Sequence, residues 1–277
     1  MNYFSAIFLG IIQGLAEFLP ISSSGHLSFF QEFFGLMDVE QENLFFDVLL
    51  HLGTLIAVFA AYWQEIKALV LEFFTMIGVR KLPEGQKPDG LSRRMIFFII
   101  LGTLPLFLVL PIKDKVEALC SNTFFIGFAF LATGTLLFLS DRMGRGGKDL
   151  RNASIWDILL VGCAQAVATV PGLSRSGTTI TCGMFRGFER QFAVKFSFLL
   201  SIPAVLGANI LSFIDAVQMG MDWSLMPMYL VGVVVAAVSG YLAIRLLKYI
   251  TAKGKFGGFS YYCWGAGLLT LILSLIK

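Results

Sequence analysis

Residues 20–27 read PISSSGHL: a proline, three consecutive serines, a glycine and one of the chain's two histidines, directly after an apolar run. Such a stretch interrupts a helix, because proline removes a backbone donor and serine and glycine favour caps and turns. What it interrupts depends on the setting. Of 277 residues, 57% are apolar and 14% charged, with a mean hydropathy of +0.79, far from the averages of soluble domains. The chain therefore reads as an all-α integral membrane protein, one membrane domain over residues 1–277.

The net charge of +3 is gathered in short loops, so it bears on membrane orientation and argues against nucleic acid as a partner. The four cysteines, Cys120, Cys163, Cys182 and Cys263, have no metal-ligand spacing and read as packing residues. The opening MNYFSAIFLG lacks a basic region and a small-residue cleavage site. Its apolar segment is expected to stay in the mature protein.

Apolar runs long enough, or nearly so, to cross a bilayer occupy about 3–19, 44–63, 95–112, 123–140, 155–171, 192–213, 229–247 and 259–276. Basic residues cluster in three loops: Arg80, Lys81, Lys87, Arg93 and Arg94; Arg142, Arg145, Lys148 and Arg151; Arg245, Lys248, Lys253 and Lys255. The positive-inside rule puts all three in the cytoplasm. Two full crossings separate the first pair of loops, which is consistent. Three runs separate the second pair, so one of them turns back. The run at 155–171 is the natural choice, because it leads into PGLSRSGTT at 171–179.

The opening run has the same design. At an offset of 152 positions, Gly10 falls on Gly162, Gln13 on Gln165, Ala16 on Ala168, Ser22 on Ser174, Ser24 on Ser176 and Gly25 on Gly177. Three candidate spans follow each match, predicting two repeats, about 1–140 and 155–277, of inverted topology. The expected architecture is about six full transmembrane helices plus two re-entrant helix-loop-helix segments whose polar breaks meet near the midplane. Irregular backbone at that depth is tolerated only where protein buries it or a cavity solvates it, so the two breaks mark a site.

Gln13 and Glu17 share one helix face and can address a common ligand or metal ion. An intramembrane carboxylate asks for a partner, and Arg175 is the evident counter-charge, whether as a structural ion pair or as part of a site. The SRSGTT segment offers hydroxyls, a glycine turn and a guanidinium, the chemistry of phosphate binding. One of Ser22, Ser23 and Ser24 is expected to cap a helix beginning after Gly25. Ser23, His26 and Glu17 together suggest an activated hydroxyl and its base. Two oxygens, from Glu17 and Gln13, would suit magnesium, which takes the rest of its shell from water and substrate phosphate.

The Gln13-x-x-x-Glu17 pair with PISSSGH, the later PGLSRSGTT, FDVLLHLGT at 46–54 and FSFLLSIPA at 196–204 resemble the bacterial undecaprenyl-diphosphatase family, also called bacitracin-resistance proteins. The resemblance spans essentially the whole chain. It implies hydrolysis of a polyprenyl diphosphate lipid in the bacterial cytoplasmic (inner) membrane, at a site opening toward the outer, periplasmic face, with recycling of the carrier for peptidoglycan synthesis and bacitracin resistance. It places the acidic motif on Gln13 and Glu17, the serine-histidine motif on Ser23 and His26, and the phosphate-binding motif on Gly172, Ser174, Arg175, Ser176 and Thr178. A divalent cation, Mg2+ or alternatively Ca2+, would sit on Glu17, with Gln13 the weaker ligand because some members carry glutamate there. Asp47 and His51 fall outside the core site, Asp47 being preferred over His51 as a weaker candidate. The nucleophile is Ser23 by preference, with His26 and a water molecule as alternatives. A homodimer is a family-level expectation. A polyprenyl-phosphate transporter or flippase is the rival reading, because inverted repeats with broken helices also suit alternating access.

Overall fold

A computed structural model describes residues 2–34, 40–83, 87–142, 146–219, 223–254 and 256–276; Arg145 and Lys255 of the basic loops lie outside them. Among the described residues the chain is helical, with no strand beyond one isolated bridge between Lys148 and Phe188. Helix α1, Tyr3–Phe18, is started by the Asn2 side chain, which accepts from the Ser5 amide at 2.8 Å. It stops at Leu19, whose ψ of 144° is the extended conformation that a following proline imposes. Helix α2 then spans Ser23–Phe34. It begins earlier than the expected start after Gly25, and the cap is one of the three serines, as expected: Ser22 Oγ accepts from the Gly25 amide at 3.3 Å.

Helix α3, Glu40–Ala61, is followed by α4, Trp63–Met76, after an 88° bend. The elbow has a tertiary cause. Lys248 Nζ donates to the Ala61 carbonyl at 3.3 Å and lies 3.6 Å from the centre of the buried Tyr62 ring, satisfying an end of α3 that would otherwise continue. Helix α5, Gly90–Thr103, runs on through turns of 3-10 helix containing Pro105 and Pro111 to α6, Lys113–Glu117. Then come α7, Thr123–Arg142, and the second interrupted pair: α8, Ile155–Val167, and α9, Arg175–Phe185. Helices α10, Arg190–Met219, α11, Met226–Ala252, and α12, Gly258–Ile276, complete the chain.

Among the described residues, five helices are long and apolar enough to cross a membrane, and the bent α3–α4 pair makes six if it is one span. The short apolar helices are α1 and α8, the two that the sequence reads as re-entrant. The chain is thus a multi-pass membrane protein. Helix α1 lies along α11, whereas α8 lies along α5, and both crossings are glycine contacts. A Cβ on Gly10 would stand 2.7 Å from the Gly232 carbonyl oxygen, and one on Gly162 2.5 Å from that of Gly102. Small residues let backbones approach where lipid gives no hydrophobic drive to pack. The small-residue stretch 232–240 is accordingly used within the chain, against Gly10, Gly14, Phe18 and Gly53.

The base of the α8–α9 pair is closed by Asp157, fully buried, which accepts from Lys148 Nζ at 2.9 Å, Arg186 Nε at 2.8 Å and the Ser154 amide at 2.9 Å. Both cations are partly exposed, which weakens each pair. Asp157→Asn is expected to destabilise by about 1–2 kcal/mol, read as a lower thermal midpoint in detergent; an unchanged midpoint would remove this clamp.

Candidate active site

The two broken segments meet at Glu17. On α1, Gln13 Nε2 donates to Glu17 Oε2 at 3.1 Å, as the one-turn spacing predicts. Across the first break, the Ser23 hydroxyl donates to the same oxygen at 2.6 Å. From the second segment, Arg175 Nη2 pairs with Glu17 Oε1. The carboxylate, 7% exposed, thus has a cation and two neutral donors, the company that a charge this deep requires.

Further bonds lock the breaks together. The Gly172 amide donates to Ser24 Oγ at 3.3 Å, and Ser176 Oγ to the Leu19 carbonyl at 3.4 Å. Gly172 has φ +84°, a region that favours glycine, and a Cβ there would come 2.7 Å from Ala129 Cβ. The turn therefore presses on α7. Ser174 caps α9 by accepting from the Gly177 amide at 3.1 Å, and its own amide donates to Thr133 Oγ1 at 3.1 Å. Thr178 Oγ1 is buried and makes no hydrogen bond. The N-termini of α2 and α9 bring Ser23 and Arg175 to one carboxylate, an arrangement suited to an anion.

Two histidines flank this centre in different ways. His26 does not reach Ser23. Its Nδ1 lies 2.7 Å from the Ser22 carbonyl and its Nε2 2.7 Å from the Tyr262 hydroxyl. The imidazole turns back because Ser22, at φ +70°, presents its carbonyl to the first turn of α2. Ser23 is left to Glu17 instead. His51, which the sequence leaves outside, brings Nε2 to 3.8 Å from Glu17 Oε2 while Nδ1 is held by the Asp47 carbonyl at 2.8 Å. His51 thus adjoins the carboxylate, and the backbone carbonyl of Asp47 orients its ring. Tyr262, on α12, had no sequence signal at all.

Among the described residues no group of three His, Cys, Asp or Glu side chains gathers as a metal cage. The donors that do gather are Glu17 and the buried Gln13 Oε1, which has no hydrogen-bond partner. One carboxylate and one orphan amide oxygen fit an ion that completes its shell from water and substrate phosphate.

A hydroxyl on a carboxylate, an arginine beside it and two helix N-termini form a set suited to phosphoryl transfer. A family model described as bacitracin resistance protein BacA matches residues 6–269. The chain is 40% identical over 277 residues to an undecaprenyl-diphosphatase of Alkaliphilus metalliredigens, covering 100% of both chains. It is 39% identical to one of Halothermothrix orenii, covering 99% of both, and 42% identical to one of Carboxydothermus hydrogenoformans, covering 99% of this chain and 98% of the relative. Matched over nearly its whole length and carrying both motifs at one buried carboxylate, the chain belongs to the bacitracin resistance protein BacA family.

Proposed function

We propose that this protein is an undecaprenyl-diphosphatase that hydrolyses undecaprenyl diphosphate to undecaprenyl phosphate and inorganic phosphate, thereby recycling the envelope-polymer carrier and conferring bacitracin resistance. The observation that carries this reading is the Ser23–Glu17–Arg175 constellation, assembled from two segments far apart in the chain.

The terminal phosphate enters beside Arg175, whose guanidinium can give it two parallel hydrogen bonds, with Thr178 Oγ1 and the amides opening α9 as further donors. As phosphate oxygens take the guanidinium, Glu17 is freed to accept the Ser23 proton across the existing 2.6 Å bond. Ser23 Oγ then attacks phosphorus, the bond to the prenyl monophosphate oxygen breaks, and Glu17 passes its proton to that departing oxygen; water later attacks the phosphoserine, and Glu17 takes the water's proton and returns it to Ser23 Oγ as the bond to phosphorus breaks. A divalent cation, magnesium ahead of calcium, would be held by Glu17 and Gln13 Oε1 with the diphosphate and would neutralise charge there.

Two inverted halves, about 1–140 and 155–277, account for the exchanged packing, in which each short helix seats its glycine on a long helix of the other half. With the basic loops cytoplasmic in the inner membrane, α1–α2 is approached from the outer face, and the site opens there. For a homodimer, the face of 232–240 that carries Gly232, Ala236 and Gly240 is spent inside the chain, and Val234 and Val238 are exposed on the other face.

Protein purified in detergent is expected to release phosphate from farnesyl or undecaprenyl diphosphate, to lose at least about 90% of that activity with EDTA, and to regain it with magnesium. Full activity under chelation would remove the cation. Vesicles that translocate the lipid without releasing phosphate would favour the transporter reading over hydrolysis.

A further inference from the structure

Helix α12 belongs to neither broken segment, yet it touches the first break at two successive residues. Tyr262 Oη lies 2.7 Å from His26 Nε2, and the Cys263 thiol lies 3.5 Å from the Pro20 carbonyl oxygen. The rings of His26 and Tyr262 stack, 5.6 Å apart and 10° from parallel, and Phe130 of α7 closes another flank edge-on at 4.9 Å. His26 is buried, 7% exposed, whereas Tyr262 is 51% exposed.

The hydrogen bonds assign the tautomer. A carbonyl only accepts, so the Nδ1 that faces the Ser22 carbonyl carries the proton, and the lone pair on Nε2 accepts from the Tyr262 hydroxyl. That carbonyl belongs to a non-glycine residue at φ +70°, a conformation that persists only where its surroundings hold it. Both nitrogens are thus committed, one to the turn and one to a helix from the far end of the chain. Ser23, three residues before His26, sits on the turn of α2 that this pair pins.

We propose that Tyr262 is a positioning residue of the site: its hydroxyl holds the ring of His26 and, through it, the first turn of α2, so that Ser23 stays on Glu17. The inference rests on the diphosphatase reading and on His26 acting in that site. A tyrosine retained for packing alone would need only its ring; the short bond to a buried imidazole assigns the work to the hydroxyl.

Tyr262→Phe keeps the ring and removes the hydroxyl. It is expected to lower kcat about tenfold, the order carried by hydrogen-bond partners that orient a histidine, with KM within about twofold and an unchanged thermal midpoint. In a His26→Gln background the same change should have no further effect. Because the chain has two histidines, 15N-histidine labelling of His51→Gln protein isolates His26, whose Nε2 resonance should move in the additional Tyr262→Phe variant while Nδ1 stays protonated. Parent-like kcat in Tyr262→Phe, or an equal loss in both backgrounds, would overturn the role. Full activity in His26→Gln would remove His26 from the site and this inference with it. Loss in His26→Gln beside an unaffected Tyr262→Phe would remove Tyr262 alone.

Discussion

Glu17→Gln is expected to lower kcat for phosphate release at least about a thousandfold, the scale of combined base and electrostatic losses, in protein that still folds. The amide can accept from Ser23 but cannot take its proton, and it cannot neutralise Arg175. Arg175→Ala should fall as far, because it withdraws the cation that meets the transferred phosphate. Stability separates this account from a purely structural ion pair. Each single variant leaves one charged group without its partner and should cost about 1–3 kcal/mol, less than a fully buried pair because Arg175 keeps 22% of its side chain exposed. The double variant Glu17→Gln with Arg175→Ala should recover much of that stability and none of the activity. Activity in Glu17→Gln within about tenfold of the parent would sink the assignment. Parent-like turnover in Ser23→Ala would transfer the attack from the serine to water.

Gly162→Ala is the second change with a large expected effect, although it lies away from the chemistry. Its added methyl would stand 2.5 Å from the Gly102 carbonyl oxygen and 3.0 Å from the carbonyl carbon and Cα of the same residue. All three are backbone atoms, so no rotamer relieves the contact, and α8 must back away from α5. Overpacking of this kind costs about 1–3 kcal/mol. It also shifts the arm that leads into the turn carrying Arg175, and a misplacement of about 1 Å can lower turnover about a hundredfold. Gly147→Ala, where an added methyl meets open space, should change neither melting nor turnover. A Gly162→Ala protein that melts and turns over like the parent would mean that the crossing adapts more readily than its geometry implies.

The breaks in α1–α2 and α8–α9 were legible because proline, glycine and serine punctuate apolar runs locally, and the Gln13–Glu17 pair because helix spacing alone makes them neighbours. The elbow after Ala61 was not. Neither proline nor glycine stands in FAAYWQEIK at 59–67, and the bend is imposed by Lys248 from α11. Within the site, Arg175 was found because a buried carboxylate needs a cation and few were available. Tyr262 escaped because no local pattern marks it, and His51, although named within FDVLLHLGT, because spacing along α3 does not show that it reaches Glu17; Tyr262 reaches His26 from α12. The expected pairing of His26 with Ser23 failed for a backbone reason, the left-handed Ser22 that offers the ring a nearer acceptor.

The Glu17–Arg175 pair joins residues 158 positions apart. During synthesis at about 5–20 residues per second, roughly 8–30 seconds separate the appearance of the acid from that of its base. Over that interval the first segment leaves the ribosome with an acid but no counter-charge, a poor candidate for settled insertion. Its final seating in the bilayer is therefore a late event of biogenesis, completed when the second segment arrives to neutralise it.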